Sequence, residues 1–286
     1  MIAVCVINWN RIEMLRRCLE ALRTTDAGAD FVLSVNDVGS TDESQQLLRD
    51  YQRFFSPEVP AFDALFDAPR EDGIPARGYA ASVNRMLGLA FTDPAIKYAF
   101  PLNNDNIVTD GWLSGCLERY EQDDKIGHVG GTMLYGPSWP EKAGKVQSAG
   151  ACFIKDAADN WVTKSYHESA DPHSPEVQKE YDAWYLGFGM YRRDVFLQLG
   201  GLCEDYPPIY YDDPDYAFRV WRAGYRVSYT PKSVVVHDHF QFFHEDPNRK
   251  HHNTTNAGGG ENRARFMRRW GWWMETASLP KPRGIH

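Results

Sequence analysis

The chain opens on an unbroken apolar run, residues 1–7, as expected of a parallel strand covered on both faces. Leu15, Cys18, Leu19 and Leu22 then recur at helical spacing, behind Asn10 and Glu13 at the separation of a capping box. A second strand at 31–35 ends in the turn Asn36-Asp37-Val38-Gly39-Ser40. Ser40 and Glu43 repeat the capping spacing ahead of a helix running to about residue 55. Residues 57–75 show no period. A third helix spans 79–91, and a strand at 98–102 runs into Asn103-Asn104-Asp105-Asn106. This β-α-β-α order predicts an α/β fold with an open, mostly parallel sheet and ligands at the carboxyl ends of its strands. Each polar cluster falls at such an end.

The later half is more mixed. Strands are predicted at 129–134, 149–154 and 233–236, and helices at 191–199, stopped by Gly200-Gly201, and 214–223, closed by Gly224. The polar stretch 156–180, with Pro172 and Pro175, reads as a long loop placed to cover a site. Residues 244–260, rich in His, Asn and Gly, read as a mobile segment. No repeat and no inter-domain linker interrupts the pattern.

Composition narrows the function. Of 286 residues, 43% are hydrophobic and 24% charged, which is too apolar for disorder and long enough for a substantial core. A net charge of −8 disfavours a general nucleic-acid binder, which needs a phosphate-neutralising surface, and suits carboxylates gathered around a divalent cation. The five cysteines form no CxxC pair, a pattern of reduced thiols in a cytosolic protein. With no basic leader before residue 2 and no apolar run near the roughly 20 residues of a membrane span, the expected location is cytoplasmic. Arg263, Arg265, Arg268 and Arg269 form either a solvated helix face or a patch for phosphates or an anionic membrane.

Five strings carry chemistry. Val6-Ile7-Asn8-Trp9-Asn10-Arg11 puts an aromatic at a strand end, where it either stacks on a nucleobase or fills core. Asp37 in its turn is suited to accept a base N–H. Gly78-Tyr79-Ala80-Ala81-Ser82-Val83-Asn84-Arg85 is a small-residue helix start that lets a nucleotide approach. Asn103-Asn104-Asp105 follows a buried strand, with Asp105 the carboxylate for a cation. Trp184, Gly187 and Phe188 precede Asp212-Asp213-Pro214-Asp215, in which Asp213 reads as a proton-accepting base or as the N-cap ahead of Pro214. A sixth position, His237 with His239 as its alternate, stands at a late strand end.

Taken in order, these strings resemble family 2 glycosyltransferases of the GT-A fold, in the rhamnosyltransferase-like branch, over residues 2 to about 240. The resemblance implies one GT-A domain at 1–240, with a nucleotide-binding half to 106 and an acceptor half from 107, followed by a loop and C-terminal helix at 241–286. It implies an inverting transfer from a nucleoside-diphosphate sugar, UDP- or dTDP-linked by preference, to a saccharide, lipid-linked or protein acceptor. Asn8, Trp9, Asn10, Asp37, Asn84, Arg85 and Asn104 would bind the nucleotide. Asp105 and His237 would hold Mn2+ or Mg2+, and Asp213 would be the base beside Asp212. Asn103, Trp184, Gly187, Phe188 and Asp215 would line the sugar pocket. The Arg-rich segment 262–273 resembles the family's C-terminal helix and would rest on a membrane. Two other readings, a catalytically silent nucleotide-sugar binder and a sugar-phosphate nucleotidyltransferase, fit less well. Asp105 and Asp213 are both kept, and Asn8-Trp9-Asn10-Arg11 is a poor match for a triphosphate-binding loop.

Overall fold

Strand β1 (Ile2–Asn8) is buried at every position and lies inside the sheet, between two parallel neighbours. They are β2 (Phe31–Asp37) and β4 (Tyr98–Asn103), and β3 (Asp63–Phe66) continues the parallel set beyond β2. In this computed structural model residues 1–55, 63–71, 75–207, 209–238, 259–276 and 282–284 are described. Past β4 come β11 (Met190–Arg192), antiparallel to both its neighbours, then β6 (Ile126–Tyr135) and the parallel β12 (Arg226–His237). The order is β10-β12-β6-β11-β4-β1-β2-β3, with β10 (Tyr181–Asp182) at one edge. Two short strands, β5 (Asn106–Val108) on β12 and β7 (Val146–Ser148) on β6, sit off this path, and β8 (Ala151–Lys155) with β9 (Trp161–Ser165) forms a separate hairpin.

The alternation of β1 shows why it reads as continuously apolar. Ile2, Val4 and Val6 enter one core with Leu15 and Leu19 of α1 (Ile12–Thr24), Leu48 of α2 (Ser44–Phe55) and Trp112 of α4 (Trp112–Glu121). Ala3, Cys5 and Ile7 enter the other, with Val83 and Leu87 of α3 (Tyr79–Ala90), Phe196 of α5 (Arg193–Leu199) and Val220 of α6 (Asp212–Arg222). Each such buried side chain contributes about 1.5–3 kcal/mol, and the sheet is held between two helical layers. A third cluster seats α7 (Gly259–Met274): Phe266 stacks on Phe153 at 5.0 Å, and Phe218 of α6 meets Trp270 and Trp273.

Several local expectations are corrected. Asn10 and Glu13 do not cap α1. Its N-cap is Arg11, left-handed at φ 63° and without a side-chain cap. Asp42 serves instead, Oδ2 accepting from Ile12 N (3.1 Å) and Oδ1 from Ser44 N (2.9 Å), because Ser40 is engaged by Asp37. Residues 191–199 divide into β11 and α5, the stretch 156–180 contains β9, and 57–75 contains β3. His239 and residues 244–258 lie outside the described residues.

Candidate active site

In-register pairing of β2, β1 and β4 brings three polar strand ends together, Asn8 opposite Asp37 and Ile7 opposite Asn103. A buried ladder follows. Asn104 Nδ2 donates to Asn8 Oδ1 (2.7 Å) and to Asn10 O (3.0 Å), and Asn8 Nδ2 donates to Asp37 Oδ2 (2.7 Å). Asp37 also accepts from Ser40 N (2.9 Å), Ser40 Oγ (2.6 Å) and Gln45 Nε2 (2.9 Å), and no part of it reaches solvent. With four donors in place, its carboxylate organises the loops and presents no vacant oxygen. Asn8 and Asn104 are likewise framework. Asn10 is held by Ser40 and Thr41, its N donating to Ser40 Oγ and its Oδ1 accepting from Thr41 N. Both Asn10 and Arg11 are left-handed (φ 55° and 63°), strain of about 1–3 kcal/mol each that these bonds offset. Trp9, just before them, is half-buried against the α3-side core.

Asn84 is turned away from this edge. It clasps Leu202 through both backbone groups (2.7 and 2.9 Å) and reaches Glu204 (2.8 Å), tying α3 to the Gly200-Gly201 turn. Gly201 is required there: its φ is +79°, and a Cβ would stand 2.5 Å from Asn84 Oδ1. Arg85 pairs with Asp67 (2.9 Å) and donates to Asn36 (3.1 Å), while Arg77 shares the same Asp67 (3.1 Å). Asp67 follows β3, so these bonds tie Arg85 to the β2–β3 side of the sheet.

At the other end β5 and β12 pair Asn106 with His237, which sets Asp105 beside the imidazole. His237 Nε2 stands 3.5 Å from Asp105 Oδ2, beyond a good hydrogen bond. Its Nδ1 lies 2.8 Å from Gln147 Oε1. Asn106 Nδ2 donates to Asp105 Oδ1 (3.3 Å), and the half-buried Asn103 donates its N–H to Asn106 Oδ1 (3.1 Å). One carboxylate and one imidazole facing each other form a donor set fit for Mn2+ or Mg2+. Among the described residues no three His, Cys, Asp or Glu side chains converge on one point, so such a cation would take most of its ligands from elsewhere.

The acid pair opens α6. Tyr210 and Tyr211 are both left-handed (φ 75° and 72°), and the helix begins at Asp212, so Asp213 lies inside the first turn and is not the N-cap. Asp212 is buried and Asp213 half-buried, and Asp213 makes no side-chain hydrogen bond or ion pair among the described residues. Burial, then the neighbouring Asp212 charge, pushes Asp213 well above the usual carboxylate range. Burial and the Asp215 charge raise Asp212 to about 6 against backbone N–H bonds that lower it. The phenol of Tyr79, at the start of α3, is raised first by burial and then by Asp213, Asp212 and Asp105, which puts the acid pair and the cation carboxylate within Coulomb reach of one hydroxyl. Tyr185 also feels Asp213, after its burial and a bond to Thr163. Gly187 is exposed, with open space where a Cβ would point.

Three residues expected in the sugar pocket have their contacts elsewhere. Asp215 faces α7, accepting from Trp270 Nε1 (2.8 Å), Arg219 Nε (2.8 Å) and Tyr206 Oη (3.1 Å). Phe188 is core, against Phe100. Trp184 belongs to the α7-seating cluster, near Phe153 and Phe218. Conversely, Tyr79, Tyr185, Gln147 and Asp67 were not singled out. Tyr79 lay inside a string already read, whereas nothing local marks the other three.

The family model described as Glycosyl transferase family 2 matches residues 3–171, more than half of the chain. No curated protein matches the sequence. Among solved structures, the chain is similar in fold to GalNAc-T7 in complex with UDP, GalNAc and Mn2+ (TM-score 0.59, 13% identity, 83% of this chain and 43% of that one). It is similar as well to the mannosyltransferase PcManGT of Pyrobaculum calidifontis with GDP-Man and Mn2+ (0.57, 16%, 98% and 65%) and to TarS of S. aureus (0.55, 13%, 94% and 43%). The chain thus spans less than two thirds of each of these proteins.

Proposed function

Because the chain belongs to glycosyl transferase family 2, we propose that it moves a sugar from a nucleoside diphosphate to an acceptor hydroxyl, with inversion at the anomeric carbon. The observation that carries this reading is that Asp105, Asp212 and Asp213 all lie within Coulomb reach of the Tyr79 hydroxyl. Asp213 takes the acceptor proton while the hydroxyl oxygen bonds to the anomeric carbon and the bond from that carbon to the diphosphate breaks. Its raised proton affinity and half-exposed, unpaired carboxylate suit a base near neutral pH. Asp105 and His237 would hold a divalent cation, which supplies charge neutralisation to a departing diphosphate. The donor is a UDP- or dTDP-linked hexose or deoxyhexose, in keeping with the rhamnosyltransferase-like motif string. The acceptor is a saccharide, free, lipid-linked or on protein.

The protein works in the cytoplasm against a membrane surface. No helix among the described residues is long and apolar enough to cross a bilayer. Supporting peripheral contact, α7 carries Trp272, 56% exposed, and its Arg265, Arg268 and Arg269 line a cavity of about 620 Å3 with Glu204 and Asp205.

The test is thermal shift with Mn2+ across UDP-, dTDP- and GDP-sugars, followed by a transfer assay with the sugar that stabilises. One nucleotide sugar should raise the melting temperature, and Asp105→Ala should abolish that rise. A protein that no nucleotide sugar stabilises is not this enzyme.

A further inference from the structure

His237 is offered to the cation through Nε2, and the structure assigns the orientation of its ring to Gln147. The register carries the argument. On β6, Met133 pairs with Ser148 and the next residue, Leu134, with Val146, so Gln147 is the extra residue of a β-bulge in β7. A bulge re-aims the side chain it inserts. Here the redirected amide reaches over β6, which β7 and β12 both flank, to His237 at the end of β12. Oε1 stands 2.8 Å from Nδ1.

With the carboxamide oxygen as acceptor, Nδ1 carries the imidazole proton and donates it, and Nε2 is the nitrogen that faces Asp105 Oδ2, at 3.5 Å. A metal-bound histidine needs that arrangement, and the partner of its second nitrogen fixes both tautomer and ring orientation. Gln147 is therefore a positioning residue for the cation site and touches neither donor nor acceptor itself. The assignment rests on the metal-assisted reading above, but the tautomer can be read without any metal.

The experiment is 15N NMR of the His237 ring at about pH 8, where free imidazole is neutral, in the wild type, Gln147→Leu and Gln147→Glu. It is run on metal-free protein and again with UDP and diamagnetic Mg2+, and Mg2+ affinity in the presence of UDP is measured by calorimetry. The wild type should hold its proton on Nδ1 in both states. Gln147→Leu should spread it over both nitrogens and weaken Mg2+ about 10-fold, the lower end for loss of such a partner. Gln147→Glu keeps an acceptor and should restore the Nδ1 proton, a rescue that a merely structural role would not produce. A wild-type proton on Nε2, or a Gln147→Leu protein with unchanged tautomer and unchanged Mg2+ affinity, overturns the proposal. If instead the wild type shows the Nδ1 proton but Mg2+ and UDP never bind, the positioning stands and the glycosyltransferase reading is what fails.

Discussion

The two first-turn carboxylates of α6 differ in one respect that assigns their roles: Asp213 is half-exposed and unpaired, whereas Asp212 is buried with Oδ2 lacking any hydrogen bond among the described residues. A half-buried, strongly basic carboxylate accepts protons, and a fully buried one acts on its neighbour. Transfer should therefore rise with pH along a limb set by Asp213, above the ordinary carboxylate range. Asp213→Asn should lose about 10²–10⁴-fold in turnover and keep donor binding, as measured by steady-state kinetics beside nucleotide calorimetry. Asp212→Asn should shift the limb to lower pH, since one repulsive charge is gone. Its effect on stability has a definite sign. The folded-state value near 6 lies above the ordinary 3.8, so ionising Asp212 costs the fold more than the unfolded chain. Relative stability is full below pH 3.8 and lost as pH rises through about 6. Asp212→Asn should accordingly gain little at pH 4 and of order 1–3 kcal/mol at pH 7.5, read by urea unfolding at both. Equal gains at the two pH values would show that the carboxyl is not perturbed.

Elements whose two faces are both buried were readable from sequence, and those defined by long-range partners were not. The apolar run of β1 and the helical spacing of Leu15, Cys18, Leu19 and Leu22 hold because burial itself writes the period. β11 has three residues and β3 four, too few to show an alternation, and each exists because a neighbouring strand accepts it. The same limit governs the site. Asp105 and the Asp212-Asp213 pair stand out in the sequence because polar residues break a pattern at a strand end or helix start. Asp37 and Asn84 looked the same in sequence, yet Ser40 and Gln45 close on the first and Leu202 on the second. Asp215 shows most clearly how an apparent site residue belongs to an element contact. Its fully buried carboxylate ties α6 to α7 through Trp270, with Arg219 bonded to it and Arg269 3.4 Å away. Asp215→Ala would strand Arg219 partly buried and should cost about 3–5 kcal/mol, with hydrogen exchange rising first in α7. Trp270→Phe, which removes one donor and keeps the ring, should cost nearer 1 kcal/mol. If α7 amides exchange no faster in Asp215→Ala, the carboxylate is not what seats the helix.

At the scale of the molecule, the sheet collects its chemistry at one edge but supplies only part of a cation shell. Among the described residues the proposed cation ligands are Asp105 and His237, one carboxylate and one imidazole, where a hard divalent ion takes about six ligands, mostly oxygen. Asn103, two residues before Asp105, adds no charge. In the proposed reading the nucleotide supplies the remaining anionic oxygens, so the two ligands should bind as a unit. Calorimetry of the free protein should show no measurable Mn2+ binding at concentrations that saturate it in the presence of UDP. By linkage, Mn2+ must then tighten UDP by the same factor that UDP tightens Mn2+. Asp105→Asn, which removes the site's formal charge while keeping its shape, should leave UDP binding alone at its metal-free level and abolish the mutual enhancement. Stoichiometric, tight Mn2+ uptake by the nucleotide-free protein would mean that the chain completes the shell by itself, and that the diphosphate is not the missing half of the site.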